Sequence, residues 1–255
     1  MKVAASVVAA RRKSLAGLLE NHRYLPLAEV CSRLKISEAT ARRDLRVLER
    51  DRQITRTYGG ALSAFDATYA SFVDRRMLNR RAKARIAEGA LRFIRPGSTC
   101  FFDSGTTIFA LAEALYRHPV AGLRAVTNNL PVAEMLGRCA DIEVTLLGGR
   151  FLPRQSILLG EAACRSARQW KFDIVFLGAE GITSSGIWAS DTEVAAFQRT
   201  LTRRASRIIV CAHAAKLDRK TGILLVPWSP RFQFITDATE AQLDRYGIPE
   251  RNRPS

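Results

Sequence analysis

Leu15, Leu18 and Leu19 recur at helical spacing behind the basic run Arg11-Arg12-Lys13 and predict a first helix from about Arg11 to Asn21. Pro26 suits the opening of a second, short helix that places Leu27, Val30, Cys31 and Leu34 on one face. A tight connection, Lys35-Ile36-Ser37, leads to a third helix. Ser37 is its N-cap, because a serine hydroxyl accepts a hydrogen bond from a backbone N–H two or three residues on, and Ala41, Leu45 and Leu48 form its inward stripe. The segment Gln53–Ala61 reads as a β-hairpin, with Gly59-Gly60 permitting a tight reversal. Beyond it the pattern changes. A possible short helix around Ser71–Arg80 and a helix near Ala82–Phe93 precede the apolar strand Thr99–Phe102, and Asp103-Ser104-Gly105-Thr106-Thr107 opens another helix. Apolar strands are expected at Leu123–Thr127, Ile142–Leu147, Asp173–Leu177, Arg207–Cys211 and Phe232–Ile235, most of them separated by helical patterns. Such alternation predicts an α/β body built on a mainly parallel sheet. The domain reading is therefore a head of three helices and a hairpin over residues 1–61, a linker over 62–81 and an α/β domain over 82–255, with Pro249–Ser255 as a loose tail.

Charge sharpens the picture of the front. The 255 residues carry a formal net charge of +16, of which +12 falls in residues 1–100. A basic excess of this kind points to phosphate-bearing partners. Projected at about 100° per residue, the third helix puts Ala39, Arg43, Arg46 and Arg50 opposite its apolar stripe, with Thr40 and Arg42 flanking. A helix fits the major groove, and arginine matches the O6/N7 edge of guanine, so Arg43 or Arg42 is expected to read bases. Arg46, Arg50, and Arg56 and Tyr58 of the hairpin are cast as phosphate or minor-groove contacts, which fix register without reading sequence. The competing reading of such an arginine run is a solvated helix face.

Other chemistry is sparse. The five cysteines are scattered without a Cys-x-x-Cys pair and only three histidines supplement them, so neither a metal centre nor a disulfide framework is expected, and no cofactor. No apolar run reaches the length of a membrane span and Val3–Ala10 is short for a signal peptide, so the chain is read as cytoplasmic. Dinucleotide, P-loop, zinc-protease and nucleophile-elbow motifs are missing. The Asp103–Thr107 turn does have a binding logic. Its glycine lets backbone approach a ligand, while hydroxyls and free N–H groups at a helix start can wrap a phosphate, although the same residues also serve as helix caps. The turns Thr127-Asn128-Asn129, Gly148-Gly149 and Gly178-Ala179-Glu180-Gly181 also lie just past predicted strands, at the edge where open α/β sheets bind ligands.

The string Leu34-Lys35-Ile36-Ser37-Glu38-Ala39-Thr40-Ala41-Arg42-Arg43-Asp44-Leu45, followed by Arg56-Thr57-Tyr58-Gly59-Gly60-Ala61, resembles the winged-helix signature of DeoR-family regulators; Ala41 stands where the family usually has a larger branched residue. From about Ala82 to Asp237 the chain is similar to the family's sensor domain, whose fold resembles ribose-5-phosphate isomerase. The resemblance implies that Asp103, Ser104, Gly105, Thr106 and Thr107 contact a sugar phosphate, with Asn128, Gly149, Glu193 and Lys216 completing the pocket. The family commonly has Asp-Ser-Ser before that lysine; here His213-Ala214-Ala215 replaces three polar groups by an imidazole and two methyls. His213 is open to two readings, a pH-sensitive ligand contact or a satisfied buried histidine, and Glu180 is open to a binding or a surface role. The implied function is a sequence-specific, double-stranded-DNA-binding repressor, a dimer or tetramer, controlled by a phosphorylated sugar. The alternative is a sugar-phosphate isomerase with a basic accessory domain. That alternative needs more carboxylates than the one in Leu177-Gly178-Ala179-Glu180-Gly181, and a lysine where Val194 follows Glu193.

Overall fold

The computed structural model describes residues 5–22, 24–51, 53–57, 60–63 and 71–253, and the chain divides into two compact units. The first comprises residues 1–69 together with the short segments 190–192 and 221–223, and its helices and strands lie in 1–69. Its helices are α1 (Ala5–His22), α2 (Leu27–Leu34) and α3 (Glu38–Arg50), and its strands β1 (Tyr24–Pro26), β2 (Ile54–Thr57) and β3 (Gly60–Ser63) pair antiparallel in the order β1-β3-β2. Helix α1 starts six residues earlier than the leucine spacing predicts. Strand β1, three residues ending in proline, carried no recognisable signal. Pro26 precedes α2 with φ −58°, the value its ring imposes, and Lys35 ends that helix in the left-handed conformation. Leu15, Leu19, Val30, Ala41, Leu45, Leu48 and Ile54 are buried together, so the predicted inward stripe of α3 is the face that packs.

The remainder forms the body. After α4 (Phe72–Met77) and α5 (Arg80–Leu91) come β4 (Thr99–Phe102), α6 (Thr106–Arg117), β5 (Leu123–Thr127), α7 (Leu130–Leu136) and β6 (Ile142–Leu146). A hairpin of β7 (Arg150–Leu152) and β8 (Ile157–Leu159) leads to α8 (Glu161–Arg168) and β9 (Phe172–Gly178). Then follow β10 (Gly181–Thr183), β11 (Gly186–Ala189), α9 (Thr192–Thr202), β12 (Ala205–Cys211), β13 (Ile223–Pro227), β14 (Phe232–Ile235) and α10 (Glu240–Arg245). Six strands make one parallel sheet in the order β14-β12-β9-β4-β5-β6, and the expected strands are all in it. Every residue of β4 is buried, which is why it reads as an unbroken apolar run: helices cover both faces of a parallel sheet. Phe102 and Phe176 are register partners on β4 and β9 and stack at 5.3 Å.

This strand order fixes where a ligand can sit. The chain runs from β4 outward to β5 and β6, then returns to the other side of β4 as β9 before continuing to β12 and β14. The reversal point lies between β4 and β9, and the crevice beyond their carboxyl ends is bounded by the turns after Phe102 and Leu177. The loose tail expected at Pro249–Ser255 is instead tied down as far as Arg253. Asn252 is fully buried and donates to the carbonyls of Ser229 and Phe232, and Arg253 donates to that of Ile248. No helix among the described residues is long and apolar enough to cross a membrane.

Candidate functional site

In the first unit, α3 begins as its sequence dictates. The Ser37 hydroxyl accepts from the Thr40 N–H at 3.3 Å and lies 3.0 Å from the Thr40 hydroxyl, which locks the first turn. Its seat is set by Asp44. This carboxylate is buried among the apolar stripe and accepts from Nε of Arg11 at 2.6 Å and of Arg12 at 2.9 Å, so part of the basic run on α1 is spent inside the unit. Burial pushes the Asp44 pKa up, but the hydrogen bonds and charges of the two arginines outweigh it and hold the carboxyl below its ordinary value.

On the opposite face Arg42, Arg43, Arg46 and Arg50 are all exposed. They are not equivalent. Arg42 pairs with Glu38 at 3.3 Å and Arg50 with Asp51 at 3.2 Å, whereas among the described residues Arg43 and Arg46 have no carboxylate partner. An uncommitted guanidinium near the helix start is the better reader of a base edge, which separates Arg43 from Arg42. Arg56 lies in β2, opposite Ala61 of β3, and Tyr58 falls outside the described residues.

In the body, Asp103, Ser104 and Gly105 form the turn between β4 and α6. Asp103 is fully buried, and its Oδ2 accepts from the Gly178 N–H at 3.0 Å and from Gln198 Nε2 at 2.7 Å. It thus braces the β4 turn against the β9 turn across the reversal point. Desolvation raises its pKa to about 6, against the hydrogen bonds from Gln198, Ser104 and Gly178 that favour the charged form. Gly105 takes φ 129°, a backbone state that favours glycine, and no side chain among the described residues caps α6, so its first-turn N–H groups are open to a ligand's oxygens. Thr106 is buried and Thr107 half-buried on that first turn.

Thr106 leads to a residue that sequence reasoning missed. Its hydroxyl donates to the carbonyl of Arg75 at 3.4 Å, and the ammonium of Lys83 donates to the same oxygen. Lys83 is buried on α5, and desolvation, with the charge of Arg75, lowers its pKa to about 8. Its charge and that of Lys216 both reach His213, whose pKa burial, aided by these two lysines, drives down to about 4. His213 is therefore neutral near pH 7, against the reading of it as a switch in that range. Lys83 and Thr106 thus meet at the Arg75 carbonyl, while Lys83 and Lys216 both act on His213. A buried lysine inside an amphipathic helix carries no mark in the sequence, and neither does Gln198 in α9.

The remaining positions fall on other strand ends. Asn128 is fully buried after β5, with its Nδ2 donating to the Leu158 carbonyl at 3.0 Å and its Oδ1 without a partner among the described residues. Gly149 has φ 153°, and a Cβ there would lie 2.6 Å from the Leu159 carbonyl oxygen, so close backbone packing already demands glycine. Glu193 pairs with Arg150. No group of His, Cys, Asp and Glu side chains among the described residues could hold a metal, and the five cysteines are free.

Residues 11–66 match the family described as the DeoR-like helix-turn-helix domain, and residues 78–238 match the DeoR C terminal sensor domain. Among curated relatives, the lactose phosphotransferase system repressor of Lactococcus lactis subsp. lactis is 30% identical over 211 residues, covering 82% of this chain and 83% of its own length. The glycerol-3-phosphate regulon repressor of Escherichia coli (strain K12) is 31% identical over 210 residues, 82% of each chain. Among solved structures, ribose 5 phosphate isomerase A from Neisseria gonorrhoeae aligns with a TM-score of 0.40 at 18% identity, covering 53% of this chain and 52% of that one.

Proposed function

Because the chain belongs to the DeoR family, we propose that it is a sequence-specific repressor of a sugar-metabolism operon, acting in the cytoplasm as a dimer or tetramer and controlled by a phosphorylated sugar. The observation that carries this reading is the recognition helix: Arg43 and Arg46 stand exposed and, among the described residues, without a carboxylate partner, while the opposite face is packed. Paired subunits place two such helices on two half-sites, multiplying affinity and specificity. The effector's phosphate is assigned to the uncapped start of α6, with Lys83 and Lys216 as its counter-charges. Binding there regulates DNA affinity only to the extent that the ligand prefers one state of the protein over another.

The test is a binding assay on DNA flanking the protein's own gene, at stated salt, with a panel of sugar phosphates. Saturable binding to one fragment, altered by one member of the panel, is expected. Equal affinity for all fragments at every salt concentration would leave a nonspecific DNA binder in its place. Thr106→Ala combined with Lys216→Ala is expected to abolish the effector's influence while ligand-free operator binding persists; loss of both would make these residues structural.

A further inference from the structure

A groove between α4, α5 and α6 meets the candidate site at one corner, where Thr106 enters it. Its volume, about 690 Å³, falls in the range of small-molecule pockets. Arg76, Arg80, Arg81, Lys83 and Arg117 line it, with Glu113 as the carboxylate among the lining residues. Two of these cations are neutralised. Arg76 pairs with Glu113 and lies over the Phe109 ring, and Arg117 pairs with Glu88. Arg80 and Arg81 have no acidic partner among the described residues, and buried Lys83 has a backbone carbonyl but no counter-charge. Burying the Lys83 ammonium without a compensating anion is costly, and the exposed guanidiniums of Arg80 and Arg81 add uncommitted positive charge along the same groove, so it is poised for a ligand that supplies an anion. It follows α6 from Thr106 to Arg117, about 16 Å at the helical rise per residue. That is longer than one phosphate needs.

We propose that this groove holds a second phosphate of the effector, which is therefore a sugar phosphorylated at two positions, one phosphate at the first turn of α6 and the other against Arg80 and Arg81. The inference rests on the reading of the Asp103–Thr107 turn as a phosphate site. Phosphate fits because its charge and three acceptor oxygens match guanidinium forks, which form paired hydrogen bonds to such oxyanions. A DNA backbone fits less well. Lys83 and Thr106 line the groove but are buried, so a small ligand entering it can reach them where a duplex cannot.

The experiment is calorimetric titration of the full-length protein with fructose 1,6-bisphosphate and fructose 6-phosphate, which differ by one phosphate. The wild type is expected to prefer the bisphosphate by about tenfold or more, as two charge-assisted contacts imply. In the Arg80→Ala/Arg81→Ala variant that preference should disappear, with monophosphate affinity within about twofold of wild type, while Thr106→Ala should weaken both ligands. If Thr106→Ala weakens both but the double arginine variant keeps the preference, the groove is not the second phosphate's site and the turn assignment survives. If the wild type binds neither sugar, or Thr106→Ala changes neither affinity, the turn assignment fails and the proposal with it. Loss of ligand-free operator binding in the double arginine variant would assign these arginines to DNA and overturn the proposal too.

Discussion

Asp44 and Asp103 are both buried carboxylates, yet their surroundings push them in opposite directions. Two arginines hold Asp44 ionised, so its contribution is present above the unfolded carboxyl pKa and is lost as pH falls through the lower folded value. Asp44→Asn is expected to cost the first unit about 2 kcal/mol, because Arg11 and Arg12 keep enough exposure to recover some hydration. Hydrogen exchange of the α3 amides in the full chain, with protection reduced about thirtyfold, checks this; unchanged protection would mean the pair contributes nothing. Asp103 has no cationic partner in its hydrogen-bonded knot and keeps its proton to about pH 6, whereas the unfolded chain releases it near 3.8. Folding therefore takes up a proton between those values, and the body should lose up to about 3 kcal/mol of stability as pH rises through that window. All three tryptophans, Trp170, Trp188 and Trp228, lie in the body, so denaturant midpoints followed by their fluorescence report this directly. An Asp103→Asn variant with the same slope as wild type would remove Asp103 as the cause.

At the scale of elements, the periodic segments were readable because each obeys one rule. Strand β4 is buried on both faces and so is continuously apolar; α3 has one packed and one charged face, with a serine at its cap. Segments whose form depends on distant partners were not readable. Strand β1 exists through its pairing with β3, and the turn at Glu250–Asn252 is held by Asn252 reaching back to Ser229 and Phe232. The same holds for the sites. The Asp103–Thr107 turn announces itself by local chemistry, whereas Lys83, Gln198 and the Asp44 knot matter only through residues 8 to 95 positions away. The pairing pattern along α3 separates two substitutions. Arg43→Ala should lower operator affinity by about 1–3 kcal/mol and flatten preference at one base position, while Arg50→Ala should weaken all DNA alike and reduce the salt slope by about one. Competition assays over a salt series distinguish them, and identical profiles would erase the division between base and phosphate contacts.

For the molecule as a whole, a sheet edge suited to sugar phosphates does not make an isomerase. Moving a proton between adjacent carbons needs a base within hydrogen-bonding reach and donors set for the developing oxyanion. The Asp103 Oδ2 is already taken by Gly178 and Gln198, the β9 turn offers Glu180 as its carboxylate, and Val194 follows Glu193. Ribose 5-phosphate incubated with the protein should remain an aldose; ketose formation abolished by Glu180→Gln would reverse that conclusion. The Arg75 carbonyl has a wider consequence. It sits near the end of α4, a few residues past position 70, where the body begins, and it draws donors from Thr106 and Lys83 at once. A phosphate that recruits those two donors competes with the protein's own backbone for them, and each such bond is worth about 0.5–3 kcal/mol depending on charge. That is the size of a typical coupling free energy between two sites. The rivalry for one oxygen ties occupancy of the pocket to how firmly α4 is fastened, and Lys83→Met, which removes one rival, should shrink the effector's leverage on operator affinity more than it shrinks operator affinity itself.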